Sequence, residues 1–214
     1  MVFVKKLKVL ISIIVCIFCM VCLSYCIYKY LIQPVNERNE ELPASLTTGK
    51  SLAEYARKVV EEDSGKEFNV GEVDMRLDSE LKGAVEVTLV EKKERKPQLV
   101  YVKFDTKSNK LLSFYYQGWY SDLDPGVINF QDWEIDYAEA IEISEKFFSQ
   151  ADGFRYDRVW MFTVNSHPSE DEDWEDWVVV LDDDQGEKRY RAHIDPYTGD
   201  VLLHSISKLN HFDD

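Results

Sequence analysis

Cysteine stops at position 26. All four, Cys16, Cys19, Cys22 and Cys26, lie in one apolar stretch, so anything folded beyond it is held by its core without disulfides. The three-residue spacing of the first three does not make a zinc site, because zinc needs four oriented ligands in polar surroundings. They read as small apolar fillers, with palmitoylation or helix contact as further uses. Acid is missing from residues 1–33, which carry four lysines, so the rest of the 214-residue chain holds 21 bases against 40 acids, a charge of 21 − 40 = −19, and the whole chain carries −15. Phosphate backbones repel so acidic a body, which excludes nucleic acid and leaves basic protein surfaces or loosely held divalent cations as counterparts.

Catalytic signatures are scarce too. There is no HExxH helix, Gly-x-Ser-x-Gly elbow or phosphate-cradling glycine loop. His167, His193, His204 and His211 are scattered. A terminal hairpin could bring His193 near His204, but without a placed carboxylate they read as surface residues. The acidic runs at 170–173 and 182–184 suggest calcium, and Asp182-x-Asp184-x-Gly186 starts like a calcium loop. The loop then puts His193 where the bidentate Glu belongs, so both runs read as solvated turns. No cofactor, metal or catalytic residue is expected, and the protein is not read as an enzyme.

What the sequence does have begins with 20 uncharged residues, 9–28, between Lys8 and Lys29. As a helix they could cross a bilayer. Lys5, Lys6 and Lys8 precede the run and Glu37, Glu40 and Glu41 follow it, which predicts a single-pass cell-membrane protein with a cytoplasmic N-terminus. A cleaved signal peptide ranks second, since no small-x-small site follows and Tyr25, Tyr28 and Tyr30 crowd its place. A lipid-modified cysteine in Leu23-Ser24-Tyr25-Cys26 ranks third.

Beyond the anchor (1–32), residues 33–50 read as a tether, with Pro34, Pro43 and Gly49 among polar residues. Ser51-x-x-Glu54 makes a capping box before a helix carrying Leu52, Tyr55, Ala56 and Val59. Asp136-x-x-Glu139 opens a second helix with Tyr137, Ala140, Ile141, Ser144, Phe147, Phe148 and Ala151 on one stripe. The strands that follow match at similar offsets: Val73, Met75 and Leu77 with Trp160, Phe162 and Val164; Val85, Val87 and Leu89 with Trp177, Val179 and Leu181; Val100, Val102 and Phe104 with Tyr190, Ala192 and Ile194. Asn109 falls where Gly199 does, and both residue types accept a left-handed backbone. The expected fold is α+β, a transmembrane helix followed by two tandem repeats (51–120 and 121–214). Each would be one helix packed on a three- to four-stranded antiparallel sheet.

The stretches "DYAEAIEISEKFF", "WVVVLDDD" and "YRAHIDPYTGDVL" give residues 136–205 a resemblance to the PepSY domain family, the module of peptidase propeptides and bacterial envelope proteins. Residues 51–116 resemble it as a weaker copy, with Lys107, Ser108 and Asn109 in place of Tyr-Thr-Gly. The resemblance implies an extracytoplasmic, non-catalytic module that inhibits or regulates a secreted or envelope peptidase. A regulatory or scaffolding subunit of a wall-synthesis or sensor complex is the alternative. Within the turn, Asp195 and Thr198 can accept hydrogen bonds and Gly199 can supply the unusual backbone angle, so the three read as structural. The aromatic connection at 114–133 makes Tyr116, Trp119, Tyr120 and Trp133 candidates either for a buried seam or for a partner-binding patch.

Overall fold

The fold is that of a computed structural model, which describes Met20 and residues 35–44, 46, 48–93, 97–117, 128, 132–169, 172–183 and 188–208, without the side chains of 164–174. Asn36–Asp214 forms one compact unit and Met1–Val35 another. In the larger unit the first helix, α1 (Gly49–Ser64), starts two residues before the expected box. Thr48 is its N-cap, accepting from the Ser51 N–H at 3.0 Å while the Ser51 hydroxyl accepts from the Thr48 N–H. It buries Leu52, Ala53, Ala56 and Val60 and stops at Gly65, which is left-handed at φ 68°. The second helix, α2 (Tyr137–Phe148), buries Ala140, Ile141, Ser144 and Phe148.

Among the described residues nine strands complete the unit: β1 (Asn36–Glu41), β2 (Phe68–Asp78), β3 (Gly83–Glu91), β4 (Leu99–Asp105), β5 (Lys110–Gln117), β6 (Arg158–Ser169), β7 (Glu172–Asp182), β8 (Arg189–Ile194) and β9 (Val201–Ser207). All belong to one antiparallel sheet in the order β1-β5-β4-β3-β2-β6-β7-β8-β9. This corrects the expectation of two separate helix-on-sheet repeats. The four strands after α1 and the four after α2 are joined by direct pairing of β2 with β6, where Met75 lies opposite Met161 and Leu77 opposite Val159. Opposite residues point to the same face. Met75, Met161, Leu77 and Val159 are all buried in the one core that also holds Leu52 of α1 and Ile141 of α2, so both helices cover the same face.

The expected transmembrane helix is not among the described residues, where no helix is long and apolar enough to cross a membrane. Residues 9–28 lie outside the described residues, except Met20. Residues 36–41, within the expected tether, form edge strand β1 on β5. Alternation also misplaced β6 by one residue. Val159, Met161 and Thr163 face the core, while Trp160 is 38% exposed on the opposite face; a one-residue slip exchanges the two faces of a strand.

Thr163 gives the β2–β6 junction a buried polar link. Its Oγ1 accepts the Val73 N–H at 2.9 Å, beside the point where the pairing of β2 with β3 shifts register between Val70 and Glu72. Thr163→Val keeps the shape and strands that N–H. It is expected to cost about 1–3 kcal/mol, the penalty of a buried donor left without a partner, measurable as a lower urea midpoint at unchanged slope.

Candidate functional site

The terminal turn folds as a clamp on the chain entering α2. Asp195 Oδ1 accepts the N–H groups of Tyr197 (2.7 Å) and Thr198 (3.2 Å), and Thr198 Oγ1 donates to Asp200. Gly199 has φ 77°. A Cβ there would meet Ile143 Cδ1 at 3.1 Å and Ile135 Cδ1 at 3.4 Å, so conformation and space both call for glycine. The Pro196 carbonyl accepts the N–H groups of Glu134 and Ile135. The turn at 105–109 acts in a similar way: Asp105 accepts from Lys107 N–H, Asn109 has φ 54°, and Leu42 and Asn109 exchange bonds ahead of α1.

Behind the terminal turn the two helix N-termini meet. Asp136, the N-cap of α2, makes no side-chain capping bond; its Oδ1 accepts the Gly49 N–H at the start of α1, at 3.0 Å. Trp133 is buried, edge-to-face on Trp177 at 4.9 Å, and its indole N–H donates to Glu175. Trp177 donates to the Ile135 carbonyl, and Tyr197 Oη donates to the same Glu175 oxygen as Trp133. Burial and Glu175 push the Tyr197 hydroxyl up to about 12, so it stays a donor. This junction uses its polar groups internally, and Trp133 therefore fills a seam.

Burial, reinforced by Glu139, raises the pKa of Asp136, while the backbone N–H groups of Tyr137, Gly49 and Lys50 pull it down. An acid with a raised folded-state pKa contributes stability that is complete below its unfolded pKa and is lost as pH rises through the folded value. The stability difference between wild type and Asp136→Asn should therefore move in the variant's favour on going from about pH 4 to pH 7. Asp136→Ala also strands the Gly49 N–H and should be about 1 kcal/mol less stable than Asn at neutral pH. Urea titrations of the three proteins across that range would measure both effects.

Of the other aromatic candidates, Tyr116 points to the helix face and packs on the core, its hydroxyl donating to Asp63 at 2.9 Å. Burial and Asp63 push it up to about 12. Trp119 and Tyr120 lie outside the described residues. His193 and His204 sit on neighbouring strands but not opposite each other. His193 bonds the buried carboxylate of Asp176 through Nδ1, whereas the His204 ring lies against Phe147. Of the acidic run at 182–184, Asp182 is held by Arg189 and Asp183 by Arg155. Among the described residues no group of three His, Cys, Asp or Glu could hold a metal.

The surface with unused capacity is the sheet face away from the helices. Trp160 stands at its centre, 38% exposed, with its indole N–H on Asp74 at 3.2 Å and the Arg76 guanidinium 5.8 Å from its ring centre. Phe162 packs beside it at 5.1 Å. Across β3, Tyr101 stacks on Tyr115 at 4.9 Å, and Lys103 reaches both the Tyr115 ring and Glu86. Between these aromatic pairs runs a groove of about 300 Å³ lined by Asp74, Arg76, Glu86 and Lys103. Burial holds Asp74 above the usual carboxylate range, opposed by the Trp160 indole and by Arg76. Periodicity could have found Trp160 only if its strand had been read in the right register.

No protein-family model matches the sequence, and no curated protein matches it either. Among solved structures it is similar to the crystal structure of a "putative lipoprotein" from Clostridium difficile 630, with a TM-score of 0.50 at 13% identity, over 79% of this chain and 99% of that one. At that identity the likeness concerns the fold.

Proposed function

We propose that this is a non-catalytic, PepSY-like protein-binding module of the cell envelope that takes its partner on the helix-free face of the sheet and restrains a peptidase. The observation that carries the reading is Trp160. A large aromatic, part-exposed beside a second ring and flanked by opposite charges, is the residue type that anchors protein interfaces. The resemblance of residues 136–205 to the PepSY family supports the class of partner, and the fold likeness to a putative lipoprotein is in keeping with an envelope location.

The test places a photo-crosslinking residue at Lys103 in the full-length protein, in its own cells, and identifies what is captured. The proposal expects an envelope peptidase whose hydrolysis slows when the purified protein is added, with Trp160→Ala weakening the complex about tenfold or more. Capture of nothing but a second copy, or a partner bound equally well by Trp160→Ala, would overturn it.

A further inference from the structure

The two edges of the sheet are built differently. β1 carries Glu37, Arg38, Glu40 and Glu41 and is broken by a register shift between Glu37 and Glu40, with Asn39 at φ 52°. Charges and irregularities of this kind keep an edge from pairing with another strand. Among the described residues no strand pairs with the outer side of β9, and its one register shift against β8 is confined to its start, between Val201 and Leu203. Its sequence, VLLHSIS, contains no charge and no proline, and Leu202 (40%), Leu203 (54%) and Ile206 (51%) are exposed. Ile206 lies opposite Tyr190, on the helix side, where the exposed Phe147 of α2 also stands against His204.

Charge singles out the occupant. On this strongly acidic chain the bases stand toward the far end of β9, where exposed Arg191 lies opposite Ser205 and makes no ion pair among the described residues and exposed Lys208 follows the strand, while the acid Asp200 stands at its start. We infer that β9 is a docking edge for an extended partner segment that alternates apolar and acidic residues and adds to the sheet as a tenth strand. Backbone pairing would supply affinity, apolar side chains would cover Leu202, Ile206 and Phe147, and carboxylates would meet Arg191. A second copy is the poorer occupant. A strand of seven residues offers another copy a strip only roughly 23 Å long, whereas stable interfaces bury about 1,200 Å² or more. The inference rests on the protein-binding reading above and names the partner's chemistry.

The test uses full-length protein and two labelled eight-residue peptides, one alternating valine with glutamate and one alternating valine with lysine, read by fluorescence anisotropy. The Val-Glu peptide is expected to bind at least about tenfold more tightly than Val-Lys. Leu202→Ser with Ile206→Ser, both exposed positions, should weaken it about tenfold, and Arg191→Glu should reverse the preference. Equal binding of both peptides, no binding of either, or binding indifferent to all three substitutions would overturn the inference. So would a doubling of mass in solution that Leu202→Ser with Ile206→Ser abolishes, since the edge would then take a second copy. If the edge fails while Trp160→Ala still weakens the peptidase complex, the sheet-face reading survives. If both fail, the protein-binding reading fails with them.

Discussion

Replacing Trp177 with alanine is expected to lower the unfolding midpoint of the whole unit by roughly 10–15 °C in a single transition. Trp177 is 1% exposed and heads the largest buried side chains. It comes from β7, yet it touches what both helices depend on. Its indole N–H donates to the carbonyl of Ile135, just before α2, and its ring packs edge-to-face on Trp133. A Cβ placed on Gly49, at the start of α1, would come within 3.4 Å of its Cη2. Deleting a buried side chain of this size costs about 3–5 kcal/mol, a large share of the roughly 5–15 kcal/mol that stabilises a domain. Trp177→Phe keeps most of the ring and loses the N–H, so it should fall well short of that cost.

Gly83→Ala is the second large effect, from a position that sequence presents as an ordinary strand start. A Cβ at Gly83 would sit 2.1 Å from the Arg76 carbonyl oxygen, 3.1 Å from its carbon and 3.2 Å from Leu77 Cα. All three are backbone atoms, so no side chain can swing aside. Withdrawal is blocked as well, because the Gly83 N–H donates to Thr106 Oγ1 at 2.9 Å while its carbonyl accepts the Thr106 N–H at 2.9 Å. The end of the β2–β3 hairpin would have to open, at about 3 kcal/mol, the upper range for forcing extra volume into a packed site. Gly65→Ala provides the comparison. Gly65 is left-handed at φ 68° with nothing within 4 Å of the added atom, so only the backbone term of about 1–2 kcal/mol applies. Denaturant titration of the two variants should separate them clearly.

Much of the strand pattern was legible because alternation reports a face. Val85, Val87 and Leu89 of β3, Val100, Val102 and Phe104 of β4, and Tyr190, Ala192 and Ile194 of β8 are all buried together, as their spacing requires. It failed at β6, where Trp160 and Phe162 look more like core residues than Val159 and Met161 do, and hydrophobicity alone favours the wrong face. At β7 both faces are apolar, since Val178 and Val180 are buried alongside Trp177, Val179 and Leu181, so alternation has no signal to offer. β1 was missed because an exposed edge strand needs no apolar face; its place is set by β5.

The joining of the strands into one sheet could not be read at all. Alternation shows that β2 and β6 each have a buried side, but not that they are neighbours. The bonds that tie the two halves together, such as Thr163 to Val73 and Asp136 to Gly49, link residues 90 and 87 positions apart. At the candidate site, Asp195, Thr198 and Gly199 were readable because turn chemistry is local. Tyr116 and Trp133 had two open readings that only the positions of Asp63 and Glu175 separate.

Amide hydrogen exchange across the β2–β6 seam tests the central claim most directly. If one sheet runs through both halves, the paired amides of Met75, Arg76 and Leu77 and those of Val159, Trp160 and Met161 exchange only with global unfolding, at one shared opening free energy. Exchange of either strand at a lower free energy than the interior of its own half, as at an exposed edge, would contradict the continuous sheet and the face built upon it.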